Sequence, residues 1–164
     1  MTLLVRAFRA SDLDPLVELS LRSWEPVFTA WRAALGERIY RLAFPDWRPT
    51  QAAAVRSACE ANATTSVVAE LDGAVVGFAV VVLGEPDDVG TRAADLEMIA
   101  VDPAAQRQGI GRRLVDASVA IMREAGCRYA NVWTGGDEGH APARALYESE
   151  GFTPLPVVHY YRAL

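Results

Sequence analysis

Apolar and polar positions alternate over residues 95 to 101, with Leu96, Met98 and Ala100 on one side and Asp95, Glu97, Ile99 and Val101 on the other. This pattern predicts a strand. Asp102 and Pro103 end it, because proline cannot donate to a ladder. From about Gly109 the period lengthens to that of a helix: Ile110, Leu114, Val115, Ser118, Val119, Met122 and Ala125 share a stripe, while Arg112, Arg113, Asp116, Arg123 and Glu124 lie off it. Gly126 is placed to close the helix in a left-handed conformation. Between strand and helix runs Gln106-Arg107-Gln108-Gly109-Ile110-Gly111, whose two glycines allow a ligand to approach the backbone closely.

The same patterning organises the rest of the chain. Leu3 to Phe8 is β-prone, and Ser11 or Asp12 is placed to cap a helix carrying Leu13, Leu16, Val17, Leu19 and Leu21. Residues 24 to 47 show mixed helical periodicity, Pro45 and Pro49 interrupt it, and Thr50 to Ala61 reads as a further helix. Ser66 to Leu71 and Ala74 to Leu83 are valine-rich and flank Asp72-Gly73, a strong two-residue hairpin signal. Residues 85 to 90 form a polar loop. Arg128 to Trp133 predicts a strand, making residues 95 to 133 a right-handed parallel strand–helix–strand unit. A polar loop over 134 to 139, a helix from about Ala141 to Glu150 stopped by Gly151, and a last strand over Val157 to Tyr161 complete the reading.

Length and composition bound the class. A chain of 164 residues with 51% apolar and 23% charged residues is typical of one globular domain, here residues 1–164. A net charge of −5 disfavours nucleic-acid partners and fits a cationic substrate better. Cys59 and Cys127 stand far apart without ligand spacing, and His140 and His159 form no metal motif, so neither a disulfide framework nor a metal site is indicated. The amino terminus lacks a signal-peptide core, and the longest apolar run, Ala74 to Leu83, is too short to span a bilayer. The expectation is a cytoplasmic protein without a membrane partner.

The turn at 106 to 111 carries the first chemistry. A helix start presents unpaired N–H groups and the positive end of the helix dipole, which suits phosphate oxygens, and Arg107, Arg112 and Arg113 add positive charge. A dinucleotide fingerprint would need a small residue where Leu114 stands. A Walker loop would need a lysine, yet all 16 basic residues are arginine. The stretch instead resembles the Gln/Arg-x-x-Gly-x-Gly/Ala pyrophosphate loop of the GNAT superfamily of acetyl-coenzyme A dependent acyltransferases, in its required context after a strand and before a helix. A second resemblance lies in HAPARALYESEGF, which matches the family's Asn-x-x-Ala-x-x-x-Tyr-x-x-x-Gly-Phe at Ala143, Tyr147, Gly151 and Phe152, with His140 in place of asparagine. The resemblance covers residues 64 to 153 strongly and the first 63 weakly.

The resemblance implies a mixed, mostly antiparallel α/β sheet flanked by helices, with a parallel strand pair splayed at the coenzyme site. It also implies acetyl-CoA as cosubstrate. Ile99, Ala100 and Val101 would bind pantetheine, and Gln106, Arg107, Gln108, Gly109, Ile110, Gly111 and Arg112 would bind pyrophosphate. Tyr147 would protonate the leaving sulfur. Glu97, or Asp95, is a candidate to receive the amine proton, directly or through water. His140 would bind the coenzyme in place of asparagine or serve as another base. The region between the first two helices commonly walls the acceptor site in this family, which makes Trp24, Glu25 and Phe28 candidate contacts, although rings at this density also fill cores. No GxSxG or Cys–His pairing supports a covalent nucleophile.

The leading expectation is an N-acetyltransferase acting by direct transfer on a primary amine of a small molecule or peptide. The alternatives are a non-catalytic acyl-CoA-binding module of the same fold and a small α/β interaction protein. The family allows a homodimer, but no stretch specifies one, and the acceptor is not encoded in any motif.

Overall fold

The computed structural model describes residues 1–164. Five strands form one sheet in the order β1-β2-β3-β4-β5: β1 Leu3–Ala7, β2 Ser66–Leu71, β3 Ala74–Leu83, β4 Ala93–Val101 and β5 Tyr129–Asn131. The first four pair antiparallel, and β4 pairs parallel with β5. Asp72 and Gly73 turn the β2–β3 hairpin with φ of 50° and 85°, the left-handed pair that this turn requires.

Two helices cover each face. On one lie α1, Leu13–Ala43, and α2, Trp47–Ala61; on the other lie α3, Ile110–Glu124, and α4, Ala141–Ser149. The valine alternation of the hairpin divides between them. Val68, Phe78 and Val80 pack with Leu16, Leu19 and Val55, whereas Val67, Ala69, Ala79 and Val81 pack with Ile110, Leu114 and Val115. Helix α1 runs on through the mixed 24–47 segment, because Pro26 is accommodated and the break comes only at Gly36, with φ 73° and ψ 158°. Helix α2 begins three residues before the expected Thr50, since proline in a first turn removes an N–H that has no intrahelical partner.

Both helices that serve the central motifs end as the glycines predicted. The N–H of Gly126 bonds to Arg123 and that of Cys127 to Met122, while Gly151 and Phe152 bond in the same way to Glu148 and Tyr147. These are paired Schellman closures. The second one folds Phe152 back onto Tyr147, ring centroids 5.8 Å apart.

Three expectations are corrected. A β-bulge interrupts β4: Val80 pairs with Met98 and Val81 with Leu96, leaving Glu97 unpaired. Leu96 therefore shares the α3 face with Ile99 and Val101, while Met98 and Ala100 face α1 and α2. An extra residue shifts a two-residue period, so the simple alternation fails there. Strand β5 is shorter than Arg128 to Trp133. The expected last strand over Val157 to Tyr161 does not form: Pro154 and Pro156 remove two donors before it, no strand lies alongside, and Val157, Val158 and Tyr160 are exposed.

The amino-terminal corner is held by charge. Arg6 on β1 makes two parallel bonds to the Asp12 carboxylate, both 2.8 Å, and a third, also 2.8 Å, from Nε to Glu70 on β2. Asp12 does not cap α1 with its side chain; it accepts instead from the Arg9 N–H at 2.8 Å. The fork geometry of arginine fits this use, and the guanidinium holds the buried Asp12 carboxyl below the ordinary range despite the opposing effect of burial.

Candidate active site

Parallel pairing of β4 and β5 stops at Asp95↔Asn131, although β4 continues for six residues. The strands then part, and the gap between them opens into a cavity of about 640 Å³. It joins the two faces of the sheet: Gln106, Arg107, Gly109 to Arg112 and Leu146 line it from the α3–α4 side, Trp24 and Gln51 from the α1–α2 side.

The register of β4 decides what the gap meets. Asp102 donates to Val76 at 2.8 Å, and Phe78 faces Ala100, so the backbone groups of Ile99 and Val101 alternate away from β3 and toward the gap. Two side chains draw on this edge. Ser23 Oγ donates to the Val101 carbonyl at 3.1 Å, and Gln106 Nε2 donates to the same oxygen at 3.3 Å.

Beyond β4 the chain turns sharply. Arg107 adopts φ 60° and Gly109 φ 77°, and the N–H groups of residues 107 to 112 donate to no group in the protein. Six successive free amides at a helix start form a concave donor array, suited to an anion with several oxygens. For Arg107, a residue with a Cβ, the left-handed conformation costs on the order of 1 kcal/mol, which the surrounding fold sustains. Arg112 reaches Glu150 at 3.5 Å, and no ion pair occupies Arg107. Helix α3 sits close to α4 because residue 111 is glycine: a Cβ there would lie 3.0 Å from Leu146 Cδ2. That approach brings Tyr147 to the cavity.

Tyr147 is 7% exposed, packs among the α3-side core and lines the cavity. Its hydroxyl bonds to no protein group. Burial pushes the phenol up to about 12, so it is protonated at neutral pH and can give a proton.

Glu97 lines the cavity from the bulge, where it is exposed. Asp95 lies elsewhere: it precedes the bulge, does not line the cavity, and accepts from Asn131 Nδ2 at 2.6 Å. Of the two carboxylates, Glu97 alone lines the cavity. Of the three expected acceptor contacts, only Trp24 lines the cavity. Glu25 pairs with Arg48, and Phe28 is buried against Trp47, stacked at 4.2 Å and 12°. Among the residues expected to bind the coenzyme, Gln108 does not line the cavity; Gln106, Arg107, Gly109, Ile110, Gly111 and Arg112 do, with Ile99, Ala100 and Val101.

His140 also lines the cavity, reached from the α1 side. Gly139 touches α1 so closely that a Cβ would meet Val27 Cα at 2.6 Å, so only glycine lets the segment settle there. Sequence reasoning missed Gln51, Trp133, Thr134 and Glu138 in the lining and Asp137 behind it. Gln51 Nε2 and Thr134 Oγ1 are buried without any hydrogen-bond partner. Their residue types carry no local motif; only the fold brings them to the cavity.

A mixed sheet with a splayed parallel pair, an anion cradle opening the following helix and a protonated tyrosine facing it define an α/β group-transfer fold. Residues 24–152 match the acetyltransferase (GNAT) family, and the chain belongs to it. A stretch of 63 residues is 40% identical to a mycothiol acetyltransferase of Beutenbergia cavernae, covering 38% of this chain and 20% of that protein. Another of 68 residues is 40% identical to the ribosomal protein bS18-alanine N-acetyltransferase of Escherichia coli K12, covering 42% and 45%. These matches span less than half of either relative. Among solved structures, an AAC(6')-Iy aminoglycoside acetyltransferase in complex with a bisubstrate analogue, CoA-S-monomethyl-acetylneamine, superposes over 100% of this chain and 99% of its own, with TM-score 0.68 at 20% identity. At that identity the likeness is one of fold. No helix is long and apolar enough to cross a membrane.

Proposed function

We propose that the chain, read as one acetyltransferase domain, transfers acetyl from acetyl-CoA directly to a primary amine that also carries polar oxygen or nitrogen groups. The free amide array at residues 107 to 112 carries this reading, because its donors and the unpaired Arg107 fit a pyrophosphate. The residues present fit the cosubstrate, which supplies the acetyl group as a thioester. Backbone groups of Ile99 and Val101 orient the pantetheine arm along the open β4 edge, and Tyr147 gives the proton that the departing sulfur requires.

The acceptor side supports the amine class. Glu97 and Glu138 place carboxylates at the cavity, and Trp24 and Trp133 add ring surface, which together attract an ammonium group and its apolar neighbours. Gln51 Nε2 is a donor without a protein partner, and Thr134 Oγ1 can donate or accept; both invite polar groups on the acceptor. Mycothiol, aminoglycoside and ribosomal-protein acetyltransferases among its relatives are consistent with this broad class.

Purified protein incubated with acetyl-CoA and a panel of aminoglycosides, polyamines, amino acids and short peptides tests the proposal. Acetylated product detected by mass supports it and identifies the acceptor class. Saturable coenzyme binding without product from any amine favours the non-catalytic module.

A further inference from the structure

Acid and base for an amine acylation must reach the reacting atoms from different directions, since the nitrogen loses a proton while the sulfur gains one. Tyr147 approaches from the α3–α4 side. On the α1 side, the loop before α4 holds a pair of groups that the family motif does not contain: Asp137 Oδ2 lies 2.7 Å from His140 Nδ1 and accepts at 3.0 Å from Trp31 Nε1 on α1. The pair is held from behind. Arg144 Nη1 donates to the Gly135 carbonyl at 2.6 Å and to the Asp137 carbonyl at 2.7 Å. Gly135 is pressed against both side chains, so that a Cβ would fall 2.2 Å from Asp137 Oδ2 and 2.5 Å from His140 Nδ1.

This arrangement selects one imidazole tautomer. Burial alone would raise the Asp137 carboxyl, but the bonds from His140 and Trp31 outweigh it and lower it, so the group is an ionised acceptor. Nδ1 must then carry hydrogen and donate. In the neutral ring the lone pair sits on Nε2, which bonds to no protein group, on a residue that lines the cavity. Glu97, by contrast, is exposed and has no partner to fix its direction.

Resting on the acetyltransferase reading, we infer that His140 is the general base that accepts the amine proton, and that Asp137 is a positioning residue fixing its tautomer. His140 Nε2 takes a proton from the acceptor nitrogen, whose electron pair forms the N–C bond. As the C–S bond breaks, its electron pair goes to sulfur and Tyr147 supplies the sulfur's proton. One proton thus passes from nitrogen to sulfur, and exchange with solvent restores both side chains. Glu97 and Glu138 recruit the ammonium form, which gives up one proton to solvent before attack, so that the neutral amine is the nucleophile and the proton His140 takes is the nitrogen's second. The titratable and charged groups around His140 are Asp137 in contact, Glu138 beside it, Arg144 from α4, and Glu97 and Tyr147 from the cavity wall. From α1 the neighbours Val27 and Trp31 are uncharged.

The chain has only two histidines, so imidazole nitrogen NMR of this 164-residue chain resolves His140 from His159. The expected result is a neutral His140 ring protonated at Nδ1, shifting toward the Nε2–H form in Asp137→Asn, with His159 unmoved. An Nε2–H ring in the wild type, or a tautomer indifferent to Asp137→Asn, overturns the positioning role; the wild-type spectrum decides even if the variant misfolds. With an amine that the wild type acetylates, His140→Gln should lower kcat/KM by about 10²–10⁴, while saturable coenzyme A binding persists. Unchanged turnover overturns the base role alone. Absence of product from the wild type with every amine in the panel overturns the acetyltransferase reading and the base role with it, and the NMR result separates these failures.

Discussion

The two sides of the cavity are built differently. The side that we propose holds the coenzyme is one contiguous run, from the open edge of β4 through residues 107 to 112, and it offers mainly backbone donors. The side that we propose for the acceptor is assembled from side chains on α1, α2, the β4 bulge, the segment after β5 and the loop before α4. Backbone recognition needs only a conformation, which two left-handed residues and a helix start supply. Side-chain recognition needs residues from distant segments to meet, and here they carry the chemistry that can vary without disturbing the fold.

The sharpest break in the comparison is Tyr147→Phe, which removes the acid without disturbing either side. Turnover should fall by about 10²–10⁴ while KM for acetyl-CoA is unchanged. With the phenol pushed up to about 12, loss of this acid by ionisation lies far to the alkaline side of neutrality, so a falling activity limb near pH 8 would contradict its role. Phe28→Ala should report the opposite kind of effect. It removes a buried ring stacked on Trp47 and costs about 3–5 kcal/mol by denaturant unfolding, without a direct contact to the cavity.

Asp12→Asn breaks the arginine fork at the amino-terminal corner and should cost about 3 kcal/mol. Because the folded-state carboxyl lies below its unfolded value, the wild type holds this contribution above about pH 4 and loses it as pH falls through the folded pKa; the variant should lack that acid-side loss. Arg107→Ala should weaken coenzyme A binding by about tenfold in calorimetric titration, leaving acceptor KM alone. Smallest is Glu25→Ala, where an exposed pair with Arg48 is worth less than about 1 kcal/mol and neither KM should move.

What the sequence disclosed follows the same division. Asp72-Gly73, the 106–111 turn and the closing glycines 126 and 151 act locally, and each was legible because a short run determines its own backbone. The bulge at Glu97 was not, since it depends on what β3 presents opposite; it leaves Glu97 unpaired while Asp95 pairs with Val82. Glu25 and Phe28 stood with Trp24 as candidates because the region between the first two helices walls the acceptor site in the family, yet α2 places Arg48 beside one and Trp47 beside another. Asp137 had no motif at all, and its partner Trp31 lies 106 positions away. The tail after Phe152 has β-forming side chains but two prolines and no adjacent strand, and pairing rather than propensity settled its form.

The claim that the backbone array receives the coenzyme is tested most directly by titrating coenzyme A into labelled protein and following the amide resonances. The largest shifts are expected at the amides of residues 107 to 112, with Ile99 and Val101 next. Saturable binding that leaves those amides still, and moves instead the resonances of β5 and the tail beyond Phe152, would contradict it.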